Sequence, residues 1–219
     1  MGSERSIAQL QAEAKSLGCP EQACPRCKSE GVFRRHDSRT RQVLTVMGSF
    51  IVGFEICLKR WRCSSCKASF THYPEFLVPY KRYVLSVMLG LGELYVTEPE
   101  LSYRDAVQPG GIALGYTENG DGTIDERQTS HTTVWHWLTW LGCMAELTNQ
   151  GVDLLRQKDP GFELHRAVTP IFPGKYRSAK RRGILERAAA LVRTGRRFTD
   201  VFSRRIFPRL CNSALVAPG

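Results

Sequence analysis

Two Cys-x-x-Cys pairs, Cys24 with Cys27 and Cys63 with Cys66, are separated by the 35 residues 28–62. That spacing serves three chemistries: a redox dithiol, a disulfide scaffold or a metal knuckle. A dithiol needs one pair and this chain has two. Disulfides belong to oxidising compartments, and the opening MGSERSIAQLQAEAKSLG holds no apolar run resembling a signal peptide. Nowhere do roughly 18 apolar residues follow one another as a spanning helix requires. The expectation is a cytoplasmic chain, nucleoid-associated in a prokaryote, without a membrane partner. MGSERS formally fits the N-myristoylation pattern, a loose match that carries little. What remains for the four cysteines is one structural zinc ion held by four thiolates, with unliganded buried thiols as the alternative.

The gap between the pairs exceeds the usual roughly 15–20 residues of such sites, and its content explains why. QVLTV, then MGS, then FIVGFEICLKRWRC reads as strand, turn and strand, with Val52, Phe54, Ile56 and Leu58 alternating onto one face. A long hairpin returns its second pair of cysteines to the first, which is the plan of a zinc ribbon. Cys57 falls on the opposite strand face, and Cys143 and Cys211 are isolated, so these three read as structural. Cys19 is the one credible substitute ligand, and His36 and His72 are weaker ones.

Charge points to the partner. The formal net charge is +10, and residues 174–209 alone carry twelve Lys and Arg against two acids. A second basic stretch, residues 24–67, holds ten bases and three acids, whereas residues 68–173 hold seven and thirteen. Two dense basic modules around an acidic middle favour a polyanion. In the ribbon, Arg34, Arg35, Arg39 and Arg41 precede the hairpin and Lys59, Arg60 and Arg62 end it. In the C-terminal segment the candidate phosphate contacts are Lys180, Arg181, Arg182, Arg196 and Arg197.

After the ribbon the pattern becomes helical. PYKRYVLSVMLGLGELYV places Val84, Met88 and Leu91 on one side, and LSYRDAVQ follows as a short helix capped by Ser102 with Asp105 three residues on. A third helix opens at Ser130 in SHTTVWHWLTWLG and stops at Gly142. Val134, Leu138 and Leu141 share its buried side, while Thr132, His136 and Thr139 fall opposite. Three short helices in this order form a helix-turn-helix pattern, a plain bundle being the rival. If the third helix enters a major groove, Thr132, Thr133, Trp135 and His136 near its N-terminus are the residues that reach bases or phosphates. The insertion between the second and third helices contains TENGDGTIDERQ, which has part of a calcium-loop register. Thr117 and Gln128 stand where that loop needs an acid and a bidentate Glu, so the segment reads as a surface hairpin turning at Asp121–Gly122.

The knuckles, the basic hairpin with RWRCSSC, LSYRDAV and SHTTVWHWLTWLG occur in an order that resembles the N-terminal DNA-binding region of insertion-sequence transposases, over residues 20–142. The resemblance is closer to short mobile-element proteins that keep only this region. It implies zinc at Cys24, Cys27, Cys63 and Cys66, base contact by the helix starting at Ser130, and recognition of element ends. In that family, catalysis belongs to a following ribonuclease-H-type domain with three carboxylates. Here the 77 residues after Gly142 read as helices (MAELTNQGVDLLRQKD, SAKRRGILERAAALV and FTDVFSRRIF) around a Pro-broken linker, with no strands to build a catalytic sheet.

The expectation is therefore an α+β chain: an N-terminal helix (1–18), a zinc ribbon (19–78), a helix-turn-helix unit (79–142) with an insertion at 109–128, a helix and Pro-containing linker (143–173), and a basic helical tail (174–219). Its expected function is zinc-dependent, non-enzymatic binding of double-stranded DNA in a mobile genetic element, beside a transposase or another element-encoded protein. The rivals are a non-catalytic or degenerate subunit or fragment of a transposase, and a zinc-ribbon adaptor or transcription regulator that binds protein, as the somewhat similar ribbon of transcription factor IIB does.

Overall fold

The computed structural model describes residues 5–20, 23–30, 32–48, 50–98, 100–107, 115–118, 124–127, 129–161, 178–203 and 206. The fold is mixed α+β. α1 (Ile7–Ser16) is followed by β1 (Phe33–Met47), β2 (Phe50–Cys63) and β3 (Ser69–Thr71), an antiparallel sheet in the order β1-β2-β3. Then come α2 (Leu85–Thr97), a 3₁₀ turn (Asp105–Val107), the hairpin β4 (Gly115–Glu118) with β5 (Ile124–Arg127), α3 (His131–Gly142), α4 (Ala145–Lys158) and α5 (Ala179–Phe202).

The β1–β2 hairpin reverses at Gly48, whose φ of 59° suits a residue without Cβ. Near the tip the pleat sends its two faces into different cores. Val43, Phe54, Ile56 and Leu58 pack with Leu10 and Ala14 of α1 and with Phe76 and Leu77. Leu44 and Ile51, of opposite parity, enter the helical core beside Tyr83, Leu85 and Met88. Expected alternation over Phe54, Ile56 and Leu58 is thus present, and Cys57 between them is exposed. β1 is far longer than the five residues its apolar pattern suggested. Its first half, FRRHDSRTR, has no apolar alternation and becomes strand by pairing with β2, across a bulge between Arg35 and Asp37.

α1 is closed by a capping box: the Ser6 hydroxyl accepts from Gln9 N–H, and the Gln9 side chain accepts from Ser6 N–H. At its other end, Lys59 Nζ donates to the carbonyls of Lys15 and Leu17, tying α1 to β2.

The helical part differs from expectation in three ways. The helix expected to begin near Pro79 begins at Leu85, because residues 82–84 run beside β1: Leu44 N–H donates to the Arg82 carbonyl and Val84 N–H to the Leu44 carbonyl, both at 2.9 Å. The short helix of LSYRDAVQ is, over its described residues, one 3₁₀ turn, although Ser102 and Asp105 do cap one another. Those hydrogen bonds from Ser102 hold the Asp105 carboxyl below its usual range. SAKRRGILERAAALV and FTDVFSRRIF are largely one 24-residue helix, α5, running through Gly195 without a break.

α5 is also built into the core. Ile184, Leu185, Ala188, Leu191, Val192 and Phe198 are buried, spaced three and four residues apart, and the helix packs on α3, α4 and α2. On α3 the buried residues are Val134, Trp137, Leu138, Leu141 and Gly142; Trp137 meets Tyr83 edge-on at 4.9 Å. Each Val, Leu, Ile or Phe among them contributes about 1.5–3 kcal/mol on burial. β4 and β5 pair as the expected hairpin, while its turn at Asp121–Gly122 lies outside the described residues.

Two glycines test how closely these helices approach. A Cβ on Gly142 would stand 2.3 Å from the Ile184 carbonyl oxygen of α5, whereas one on Gly90 of α2 would meet nothing within 4 Å. Gly142→Ala is expected to destabilise by about 2 kcal/mol or more, since backbone cannot yield as a side chain does. Gly90→Ala should stabilise by about 0.5–1 kcal/mol through helix propensity. Urea unfolding of both variants checks the pair, and equal behaviour would contradict the close α3–α5 crossing.

Candidate metal centre

Two loops of the same construction hold the four cysteines. In the first, Lys28 N–H donates to the Cys24 carbonyl at 2.9 Å and Cys24 N–H to the Ser29 carbonyl at 3.0 Å. In the second, Lys67 N–H donates to the Cys63 carbonyl at 3.0 Å and Cys63 N–H to the Ala68 carbonyl at 2.9 Å. Lys28 and Lys67 both turn left-handed, at φ 59° and 61°, which swings each chain back under its own sulfurs. The β1–β2 ladder brings the loops together by pairing Phe33 with Cys63, and Ser64 N–H donates to the Val32 carbonyl at 3.2 Å.

The result is a cluster in which all four Sγ atoms lie within 4.8 Å of one another. Cys24 and Cys66 are 3.7 Å apart, and Cys27 and Cys63 3.8 Å. A tetrahedral ion with metal–sulfur bonds of about 2.3 Å requires sulfurs about 3.8 Å apart, whereas a disulfide requires about 2.05 Å. The donor set fits a four-sulfur metal site, and the cysteines are free thiols. Cys24 and Cys63 are fully buried, Cys66 is half-buried and Cys27 is exposed. Phe33 and Phe70 close one side, edge to face at 5.1 Å, with Trp61 beside them.

The sulfurs are electrostatically unequal. Backbone N–H groups of Cys66 and Ser65, with the Ser29 hydroxyl, outweigh burial and lower Cys63 to about 6. The Ser29 hydroxyl and N–H lower Cys27. Ala68 N–H favours the Cys66 thiolate, but burial and the three neighbouring sulfurs overcome it and push Cys66 up to about 11. Crowded thiolates of this kind are what a divalent cation neutralises.

None of the substitute ligands joins the described cluster. Cys19 is exposed, His36 is exposed at the β1 bulge, and His72 Nδ1 faces the Gly18 carbonyl at 3.1 Å. Burial, outweighing that bond, lowers the His72 pKa.

The candidate nucleic-acid residues divide by surroundings. Arg34, Arg35 and Arg39 are exposed along β1, and Arg62 is exposed with Nε on the Lys67 carbonyl at 3.1 Å. Arg60 bonds Asp37 at 2.9 Å, and Arg41 holds the Lys81 carbonyl while lying 5.7 Å over the Tyr73 ring. On α3, Thr132 and His136 are exposed and Thr133 is half-buried. Trp135 is held between Tyr103 and the Arg181 guanidinium, the latter 4.4 Å from its ring centroid. On α5, Lys180 is exposed and Arg182 half-buried, while Arg196 pairs with Glu93 at 2.7 Å and Arg197 with Asp159 at 3.0 Å. Tyr80, which the helical pattern of PYKRYV would place in a helix, stands in a loop, almost fully exposed. The proline before it and the bases after it (LVPYKR) were the available signal.

Residues 24–97 match the family model of a domain of unknown function (DUF6431). The match runs from the first cysteine of the cluster to the last residue of α2, so it contains all four cysteines and the β1–β2 hairpin and stops short of α3. No curated protein and no solved structure matches the chain.

Metal removal is expected to act locally, because the cysteines and their aromatic neighbours form a cluster separate from the one that α1 covers and from the helical core. Cys63→Ser should lose the metal and speed amide exchange over residues 24–30 and 63–71 while leaving the helical circular dichroism in place. In metal-free protein near pH 7, iodoacetamide should modify Cys27, exposed and lowered, before Cys63, which is shielded, or Cys66, which is raised. Peptide mapping with and without added metal reads the order, and metal should protect all four.

Proposed function

We propose that this chain is a zinc-dependent, non-enzymatic DNA-binding protein, a recognition module of the kind that transposases carry ahead of their catalytic domains. The reading rests chiefly on one observation: a four-sulfur cluster braces a hairpin whose edge strand β1 presents Arg34, Arg35 and Arg39 to solvent. A closed tetrahedron of thiolates suits zinc, which is redox-inert and takes this geometry without strain. Zinc there would supply folding energy to a knuckle too small to hold itself, and the chain's own arginines would meet the phosphates. Exposed Thr132 and His136, at the start of α3, are the proposed base contacts. No catalytic role is proposed for the carboxylates after Gly142: Asp159 is engaged by Arg197 and Asp153 is exposed on α4.

The surroundings of the arginines shift the proposed source of affinity. Cations on α5 that already neutralise Glu93 and Asp159 release fewer counterions on binding than unpaired ones. The ribbon edge then carries more of the phosphate contact than Arg196 and Arg197 do. Deleting that segment cannot test this, since α5 fills the core.

Charge substitutions can. Replacing Arg34, Arg35 and Arg39 by Gln should flatten the log-log salt dependence of DNA binding by about 0.9 per lost contact, on specific and random duplexes alike. Arg196→Gln with Arg197→Gln should leave the slope nearly unchanged. His136→Ala and Thr132→Ala should cost about 1–3 kcal/mol on the preferred duplex with little effect on random DNA. Titrations at three or more salt concentrations, with metal analysis of the same samples, decide it. An unchanged slope in the triple Gln variant would make the edge a solvated or protein-binding face, and iron in place of zinc would correct the metal.

A further inference from the structure

Tyr80 combines two properties that the fold does not explain. It is 92 % exposed, and its φ of 64° puts a bulky aromatic residue in the left-handed region. That conformation is sterically disfavoured for any residue with a Cβ, and a ring that touches almost nothing offers no packing in return. The backbone after it leaves little choice. Lys81 N–H donates to the Val78 carbonyl at 3.1 Å, Arg41 of β1 holds the Lys81 carbonyl, and Leu44 N–H holds the Arg82 carbonyl at 2.9 Å. Ribbon and loop together display the ring.

The strand edge that leads away from its loop is cationic. Among the described residues β1 pairs with β2 on one side only until Leu44 meets Tyr83, and no described strand lies on its other edge from Arg34 to Arg41, about 23 Å of strand. Arg34, Arg35 and Arg39 are exposed along that edge, and Arg82 is exposed two residues from Tyr80. The one acid of β1, Asp37, is bonded to Arg60. Adding a peptide strand here is opposed by the bulge and by the arginines themselves. A row of phosphates suits the arginines, and a base suits the ring.

We propose that Tyr80 and this edge of β1 bind a junction between duplex and single-stranded DNA, the arginines following one phosphate backbone and the Tyr80 ring stacking on the first unpaired base. The inference rests on the DNA-binding reading above and narrows its substrate. A tyrosine face can stack only where a base face is accessible, which an intact duplex offers at its ends alone and a junction offers internally. Arg41 is a positioning residue: it fixes the carbonyl that follows Tyr80 and touches no base.

The test uses the full metal-loaded chain, a duplex closed at both ends by polyethylene-glycol linkers and so without unpaired bases, and the same duplex with one linker replaced by a short single-stranded overhang carrying 2-aminopurine at its first unpaired position. The overhang should bind roughly fivefold or more tighter, with quenched 2-aminopurine emission. Tyr80→Ala should abolish both effects and keep the affinity for the closed duplex, while Tyr80→Phe should keep both. Tyr80→Gly, which relieves the left-handed backbone, should be as stable as the parent or more so and still lose the preference. A preference and quenching that survive in Tyr80→Ala overturn the proposal. Equal wild-type affinity for both duplexes also overturns it while leaving the DNA-binding reading intact, and failure to bind either overturns both.

Discussion

The antiparallel ladder between β1 and β2 is the constraint on which the rest of the molecule depends. It pairs Phe33 with Cys63 at one end and Met47 with Phe50 at the other. Three apolar clusters hang along it: the aromatic wall around the sulfurs, the patch under α1, and the tip inside the helical core. Because side chains alternate between faces, a slip of one residue would turn Leu44 and Ile51 away from the helices and Phe54 and Ile56 away from α1 together. Register is therefore fixed redundantly, and the sulfurs meet because the ladder delivers them.

The two ends of this ladder are stabilised by different physics. At the tip, burial of Leu44 and Ile51 among helical residues suffices. Among the described residues the knuckle end has Phe33, Phe70 and Trp61 to shelter it, a far smaller apolar cluster, and four sulfurs stand within 4.8 Å of one another beside it. The values of Cys63 and Cys66, near 6 and 11, are split across three positions, because backbone N–H groups favour the first thiolate while burial and the neighbouring sulfurs oppose the second.

How much of this could be read from the chain follows from where each signal lies. The cysteine cluster was legible because its ligands come as local pairs with fixed spacing. The core face of α3 was legible through Val134, Leu138 and Leu141, and the caps at Ser102 and Ser130 through their own chemistry. The first half of β1 was not, because Arg34 to Thr40 is exposed on both faces and owes its strand conformation to a partner elsewhere in the chain. α5 was misjudged as a tail because its charge is conspicuous, while Leu185, Ala188, Leu191 and Val192 form a quieter stripe with the core spacing. Tyr80 was hidden by periodicity: the residues around it fit a helix, and only the bonds to β1 exclude one.

The hairpin tip has a mechanical consequence. A strand pair of about 45 Å, anchored at Leu44 and Ile51 in the helices and reaching to the cysteines, leaves no linker between the two ends. Any ligand that engages both meets a ruler. Separation between its two contacts becomes a fixed dimension of the protein, so selectivity can reside in spacing and curvature as well as in the identity of the groups touched.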